Sequence, residues 1–228
     1  MSSQAQTIQA ASGGRLVLGL GVSHRGAIED RYGRDFNRPA RHMHEYLSAL
    51  LPLLREGTVA FHGETLTADT TGFSAHVAGS TKPPVLVAAL GPAMLRVAGE
   101  LADGTITWMA GVRTIDSHIT PTISAAASGR RPQVVVSLPI CVTHQPDAAR
   151  ARAAEHLAIY NSLPSYRAML DIEHAASPAE VAIIGDERHV EQQLRRLANA
   201  GATQVVASTE GFTPAPNGKT PSTLGESV

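Results

Sequence analysis

Cysteine is nearly missing from this chain, and what is scarce narrows the field before any motif is considered. Cys141 stands alone, which excludes an internal disulfide and any multi-cysteine zinc site. Set in the apolar run VVVSLPICV, it reads as a core thiol rather than a nucleophile. Aromatic residues make up 4% of the 228 residues, and the net charge is -1. With no basic run and no interleaving of aromatic and basic residues, neither a phosphate-backbone footprint nor a base-stacking platform is present, so no nucleic-acid partner is implied. No stretch approaches the roughly 20 apolar residues of a membrane span, and the N-terminus MSSQAQTIQAAS lacks the apolar core of a signal peptide. The expected location is therefore cytoplasmic, without a membrane partner. Lysine is rare too, with only Lys82 and Lys219 among the 19 Lys and Arg residues. The ten histidines form no H-E-x-x-H, and neither a G-x-S-x-G nor a P-loop occurs. His42 and His44, two apart on a helix, point to different sides and make no chelate, so no metal is expected.

What is present is 43% apolar content, enough for one soluble α/β domain with a sizeable core. The organising stretch is Pro83 to Gly104, PPVLVAALGPAMLRVAGELADG. Val85 to Ala89 form a short continuous apolar run, as expected of a parallel strand buried on both faces. The period then changes: Gly91 and Pro92 stand at a helix start, and Met94, Ala98, Leu101 and Ala102 follow on one helical face. Such a turn leaves the amides of Leu90, Gly91 and the first helical turn pointing away from the strand, where they suit a phosphate. The plainer alternative, that Gly-Pro merely starts a helix, stays open on this stretch alone.

Along the chain, residues 4 to 11 read as the tail of a helix closed by Gly13 and Gly14. Leu16 to Leu20 is a strand followed by the polar loop GVSHRG; a dinucleotide fingerprint fails there because His24 replaces the third glycine. Residues 39 to 54 form an amphipathic helix whose last turn Pro52 should kink. On it, Glu45 near Arg41 and Arg38 reads as a solvated pattern. Residues 56 to 82 suggest an inserted hairpin. Further strands are expected at 105–109, at 133–142 with an irregular far half beyond Pro139, and at 204–207. Helices are expected at 114–128, from Pro146 to about Tyr160, after a capping box at Ser177–Glu180, and from Asp186 to Gly201 with Val190, Leu194, Leu197 and Ala198 on one face. The tail 211–228 should be irregular. Five strands each preceded by a helix mean parallel α/β, and periodicity alone favours an open sheet over a closed (β/α)8 barrel.

The runs SGGRLVLGLGVSH, RPARHMHEYLSALLPLL, PPVLVAALGPAMLRVAGELADGTITW and IIGDE with LRRLANAGAT together resemble the luciferase-like monooxygenase superfamily. More narrowly, they are similar to its deazaflavin branch, the coenzyme F-420-dependent oxidoreductases of actinobacteria. The resemblance covers residues 4 to about 210 and implies a TIM-barrel-type (β/α)8 fold. The chain looks like a family member lacking the first three βα units, hence an incomplete barrel over 1–210 with an insertion at about 56–82. It further implies an enzyme, an oxidoreductase transferring a hydride between F-420 and a small organic substrate. An FMN-dependent monooxygenase and an inactive fragment are the alternatives; a homodimer is compatible with any of them.

By the same resemblance, the turn Ala88, Ala89, Leu90, Gly91 and Pro92 holds the cofactor's phosphate on backbone amides. The loop Gly21, Val22, Ser23 and His24 lines the same face, and Trp108 walls the substrate pocket. A surface-loop role for His24 and an interior packing role for Trp108 are the alternatives. Arg25, Arg31 and Arg34 read as surface residues. The family's ring contacts and proton donor lie in strands this chain lacks, so no catalytic residue is named.

Overall fold

In the computed structural model, residues 1–209 and residue 212 are described; the irregular tail expected at 211–228 lies, residue 212 apart, outside them. The chain divides into two compact units, residues 1–106 with 121–133, and residues 107–120 with those from 134 on.

The first unit contains helix α1 (Ser2–Ala11), strand β1 (Leu18–Leu20), helix α2 (Pro39–Arg55), strands β2 (Ala60–His62) and β3 (Thr67–Asp69), strand β4 (Val85–Ala88), helix α3 (Pro92–Leu101) and the start of β5 (Gly104–Trp108). β4 pairs in parallel with β1, Leu20 opposite Val87, and with β5, Ala88 opposite Ile106. A strand flanked on both edges and covered on both faces must be apolar throughout, and Val85, Leu86 and Val87 are at most 4% exposed. The inserted segment forms the expected hairpin, β2 antiparallel to β3. On α3 the buried residues are Leu95, Val97, Ala98 and Gly99; Met94, expected on that face, is only half-buried.

α1 runs from Ser2 to Ala11 in the described residues. Gly13 and Gly14 close it in left-handed conformations (φ 62° and 86°), with the Gly14 amide donating to the Gln9 carbonyl. Its packed face is polar: Ser2, Gln6 and Gln9 are buried beside Ala5. Gln9 donates to Thr81 Oγ1 at 3.1 Å and accepts from the Leu16 amide at 2.9 Å. A polar helix face is tolerated inside only when its groups are paired, and here they clamp the chain on either side of the hairpin.

α2 buries Met43, Leu47, Leu50, Leu51 and Leu54 along one stripe and continues through Pro52 to Arg55. Glu45 corrects the sequence reading. It is 3% exposed, and its carboxylate accepts from Arg41 Nε at 2.8 Å, from the Thr65 amide at 2.7 Å and from Thr65 Oγ1 at 2.7 Å. The Thr65 partners arrive from the hairpin turn, which no i,i+4 rule reveals. The Arg41 hydrogen bond, then the two Thr65 bonds, lower the Glu45 pKa to about 2, overcoming the opposite push of burial. The folded value lies below the ordinary 4.5, so Glu45 contributes stability above that pH and loses it as pH falls through about 2. Chemical denaturation of wild type and Glu45→Gln is expected to show a gap that is full near neutrality and closes between pH 4.5 and 2. A gap independent of pH across that window would remove the assignment.

The second unit takes the end of β5, helix α4 (Val112–Thr114) with the π-helical turn Ile115–Ile119 that leads towards α5 (Thr120–Ala126), strand β6 (Gln133–Val142), helices α6 (Pro146–His156) and α7 (Pro164–Glu173), strand β7 (Ile183–Gly185), helix α8 (Glu187–Asn199) and strand β8 (Gln204–Ser208). β5 stops at Trp108, because Met109 turns left-handed (φ 58°). β6 is one strand throughout, against the expected break after Pro139. Its residues 135–139 pair with β8 and its residues 140–142 with β7, both in parallel. Pro139 falls where the partner changes, so its missing donor does not end the strand.

β7 and α7 are absent from the sequence reading; a three-residue strand, IIG, carries no period of its own. The capping box at Ser177 also differs. Ser177 makes no side-chain cap, and Glu180 Oε2 accepts from the Ala176 amide at 3.0 Å. α8 starts as expected, Asp186 Oδ1 accepting from the His189 amide at 2.8 Å, with Val190 and Leu197 buried but Ala198 exposed. Cys141 is half-buried rather than a core thiol, because its neighbour Val142 already emerges at 53% exposure.

Candidate functional site

The turn after β4 is built by two anchors. Ala88, the last residue of the strand, is exposed, whereas Ala89 is 2% exposed. Thr105, fully buried on β5, donates its hydroxyl to the Val87 carbonyl at 2.8 Å and reaches the Ala89 carbonyl at 3.5 Å. The sequence reading missed Thr105, since only the parallel register brings it beside the turn. Leu90, between Ala89 and the helix, makes an interaction of its own. Gly91 is the N-cap of α3, with no side-chain cap, and Pro92 occupies the first turn.

The donors that remain follow from helix geometry. The Leu95 amide is the first to bond back, to the Gly91 carbonyl at 3.0 Å, so Ala93 and Met94 have no acceptor within the helix, and Pro92 has no donor to offer. Gly91, Pro92 and Ala93 are exposed. A Cβ added at Gly91 would meet nothing within 4 Å. The start of the helix is thus open to approach at the positive end of its dipole.

Among the strand-following helices, α2 starts in the same way, with no capping side chain and no first-turn acid, whereas α4, α6 and α8 differ. At α4, Glu173 fills the start, accepting from the Thr114 amide and Thr114 Oγ1, both at 2.8 Å, and from the Arg113 amide at 3.2 Å. α6 carries Asp147 in its first turn, and α8 has its Asp186 cap and Glu187. Among these five in the described residues, only α2 and α3 start with neither a capping side chain nor an acidic residue. An uncapped start of this kind, free of first-turn acids, is compatible with an anion.

The loop after β1 lies beside this turn. Parallel register puts Leu20 opposite Val87, and a Cβ on Gly21 would come within 3.2 Å of Ala88 Cβ; the glycine lets the two segments approach. Ser23 is left-handed (φ 61°) and exposed, Val22 and His24 are half-buried, and the His24 carbonyl accepts from the Ile28 amide at 3.0 Å. The parallel register thus puts the loop after β1 and the turn after β4 at the same end of the paired strands, touching at Gly21 and Ala88. Arg25, Arg31 and Arg34 are exposed; Arg25 pairs with Glu29 and lies over the Phe36 ring at 5.5 Å.

Trp108 belongs to the second unit. Its ring stands edge-on to Tyr160 at 6.0 Å, and Tyr160 edge-on to Tyr166 at 4.9 Å. Its indole N–H is buried without an acceptor among the described residues. Burial, then the neighbouring Tyr160, pushes the Tyr166 phenol up to about 12. No spacing along the chain signals this trio. Two cavities lie away from both places: one of about 540 Å³ in the first unit, beside Arg41, His44 and His62, and one of about 660 Å³ in the second, described below.

Residues 1–204 match the family model described as luciferase-like monooxygenase. An uncharacterised protein of Mycobacterium tuberculosis is 35% identical over 179 residues, 72% of this chain and 53% of that protein. The 5,10-methylenetetrahydromethanopterin reductase of Methanolobus tindarius is 28% identical over 76% of this chain and 53% of its own length. This chain thus spans about half the length of these curated relatives. Among solved structures, the coenzyme F-420-dependent tetrahydromethanopterin reductase of Methanopyrus kandleri superposes with a TM-score of 0.75 at 22% identity, over 90% of this chain and 71% of that one. The oxygenating constituent of 3,6-diketocamphane monooxygenase from Pseudomonas putida, in complex with FMN, gives 0.68 at 15% identity, over 94% and 70%. At such identity these likenesses concern the fold, and they favour the barrel type over the open sheet that periodicity alone suggested. With the family model matched from residue 1 to residue 204, the chain belongs to the luciferase-like monooxygenase family.

Proposed function

We propose that this chain carries the phosphate-holding part of an oxidoreductase that transfers a hydride between coenzyme F-420 and a small organic substrate. The observation that carries the reading is the start of α3: exposed backbone at Gly91 to Ala93, amides of Ala93 and Met94 left over by the helix, no capping side chain and no first-turn acid, next to the loop from Gly21 to His24. The residues fit such a group. A phosphate needs several donors, positive potential and backbone that can be approached closely, and Gly91 supplies the last. Gly91, Ala93 and Met94 would hold the anion, and Ser23 and His24 would face it from the β1 loop. When bound, the deazaflavin supplies the hydride chemistry; these residues bind and orient.

FMN is the second reading, favoured by the FMN-bound monooxygenase among the structural neighbours, since both cofactors bear a phosphate. Titration with each, followed by fluorescence, separates them. F-420 is expected to bind the more tightly; tight FMN binding without F-420 binding would overturn the deazaflavin assignment and leave the phosphate site standing.

A further inference from the structure

The larger cavity, of about 660 Å³, lies in the second unit among α6, the Ser177–Ile184 segment and α8. Its size is that of a small-molecule site, and its floor is apolar: Leu138 and Ile184 are 1% exposed and Leu197 is fully buried. Two arginines line it from different helices, Arg150 on α6 and Arg196 on α8, and two carboxylates share the lining, Glu173 and Glu180.

Among the described residues, the lining carboxylates do not pair with the lining arginines. Both oxygens of Glu173 are spent on the amides and hydroxyl at the start of α4, where the helix dipole offsets its charge. Glu180 accepts from the Ala176 amide. Arg150 and Arg196 instead meet other groups among the described residues. Arg196 touches Gln193 Oε1, at 3.2 Å. Arg150 reaches the Ile184 carbonyl at 3.4 Å and Asp147 at 3.1 Å, and that aspartate side chain is 98% exposed. An exposed pair of this kind is weak and readily exchanged. Above the apolar floor, neither lining carboxylate is engaged by the two guanidinium groups, which leaves those groups able to take a further anion.

We propose that this cavity is a second ligand site, for a small organic anion with an aliphatic body, its carboxylate between Arg150 and Arg196 and its chain on Leu138, Ile184 and Leu197. Arginine forks suit carboxylates, and the floor suits a tail of several methylenes. The inference stands apart from the cofactor reading, because all its residues lie outside the α3 turn.

Calorimetric titration of the 228-residue chain with octanoate, octanol and acetate tests it. Octanoate is expected to bind about tenfold more tightly than octanol, which lacks the charge, and than acetate, which lacks the body. Arg196→Gln and Arg150→Gln should each weaken octanoate about three- to tenfold, with unchanged circular dichroism and melting, while Gly91→Val leaves octanoate binding as it is. Equal binding of octanoate and octanol, equal binding of octanoate and acetate, undiminished binding by both folded arginine variants, or no octanoate binding at all would each overturn the proposal. Loss of octanoate binding in Gly91→Val would move the anion to the α3 turn and overturn it equally.

Discussion

Replacing Gln6 by alanine is expected to lower folding stability by about 3 kcal/mol, the sum of several buried groups left unpaired at about 1 kcal/mol or more each. Gln6 is fully buried, and its amide spends every group it has. The two Nε2 hydrogens are shared among three acceptors, Ser2 Oγ at 2.9 Å, the Leu53 carbonyl at 3.1 Å and the Ala75 carbonyl at 3.2 Å. Oε1 accepts from the Val77 amide at 2.8 Å and Ser80 Oγ at 3.1 Å. One side chain therefore ties α1 to the end of α2 and to the loop at 75–80. Alanine would leave two carbonyls and an amide unpaired and open a void, with partial relief from water because Ala75 and Val77 are only half-buried. For a chain of this size the melting temperature should fall by about 6 to 12 °C. Gln6→Glu should not preserve the wild-type stability either, since a carboxylate cannot donate to the Leu53 and Ala75 carbonyls. Should Gln6→Ala melt within about 2 °C of wild type, the hub contributes little and the polar face of α1 is merely tolerated.

Gly91→Val should cost about 1 to 3 kcal/mol of F-420 affinity, the scale of one or two charge-assisted hydrogen bonds. The geometry of the turn makes the substitution selective. Gly91 has φ -77° and ψ 154°, a region any residue adopts, and its added side chain would meet no protein atom within 4 Å. Valine therefore has room in the protein itself and intrudes only on something approaching the turn from outside. Some stability will be lost because valine is a poor N-cap, so binding should fall more than folding does. Wild-type affinity should also weaken as salt rises, the partner being an anion at an exposed site. Calorimetry on both proteins at two ionic strengths, with melts of each, makes the comparison. A folded Gly91→Val protein that binds the deazaflavin like its parent would place the phosphate elsewhere and return this stretch to a plain helix start.

The two substitutions probe different kinds of information. Elements whose signal is local were legible in the residues themselves: β4 as a continuous apolar run, Gly91-Pro92 as a helix start, Asp186 and Gly201 as the ends of α8, and the alternation that makes the strands parallel. Periodicity and caps act over a few residues, so they can be read without knowing neighbours. Which polar residues are buried emerged only once the chain was folded. Gln6 and Gln9 look like the wet face of a short helix until the loops at 75–81 close over them. Glu45 looks solvated until Thr65 meets it. Glu173 reaches the start of α4 from about sixty positions along the chain, and so decides that α3, and not α4, keeps an open N-terminus. β7 exists only because β6 offers it an edge. The reason is the same each time: a polar group's burial is settled by the partner that satisfies it, and that partner arrives from a distant part of the chain that no local pattern encodes.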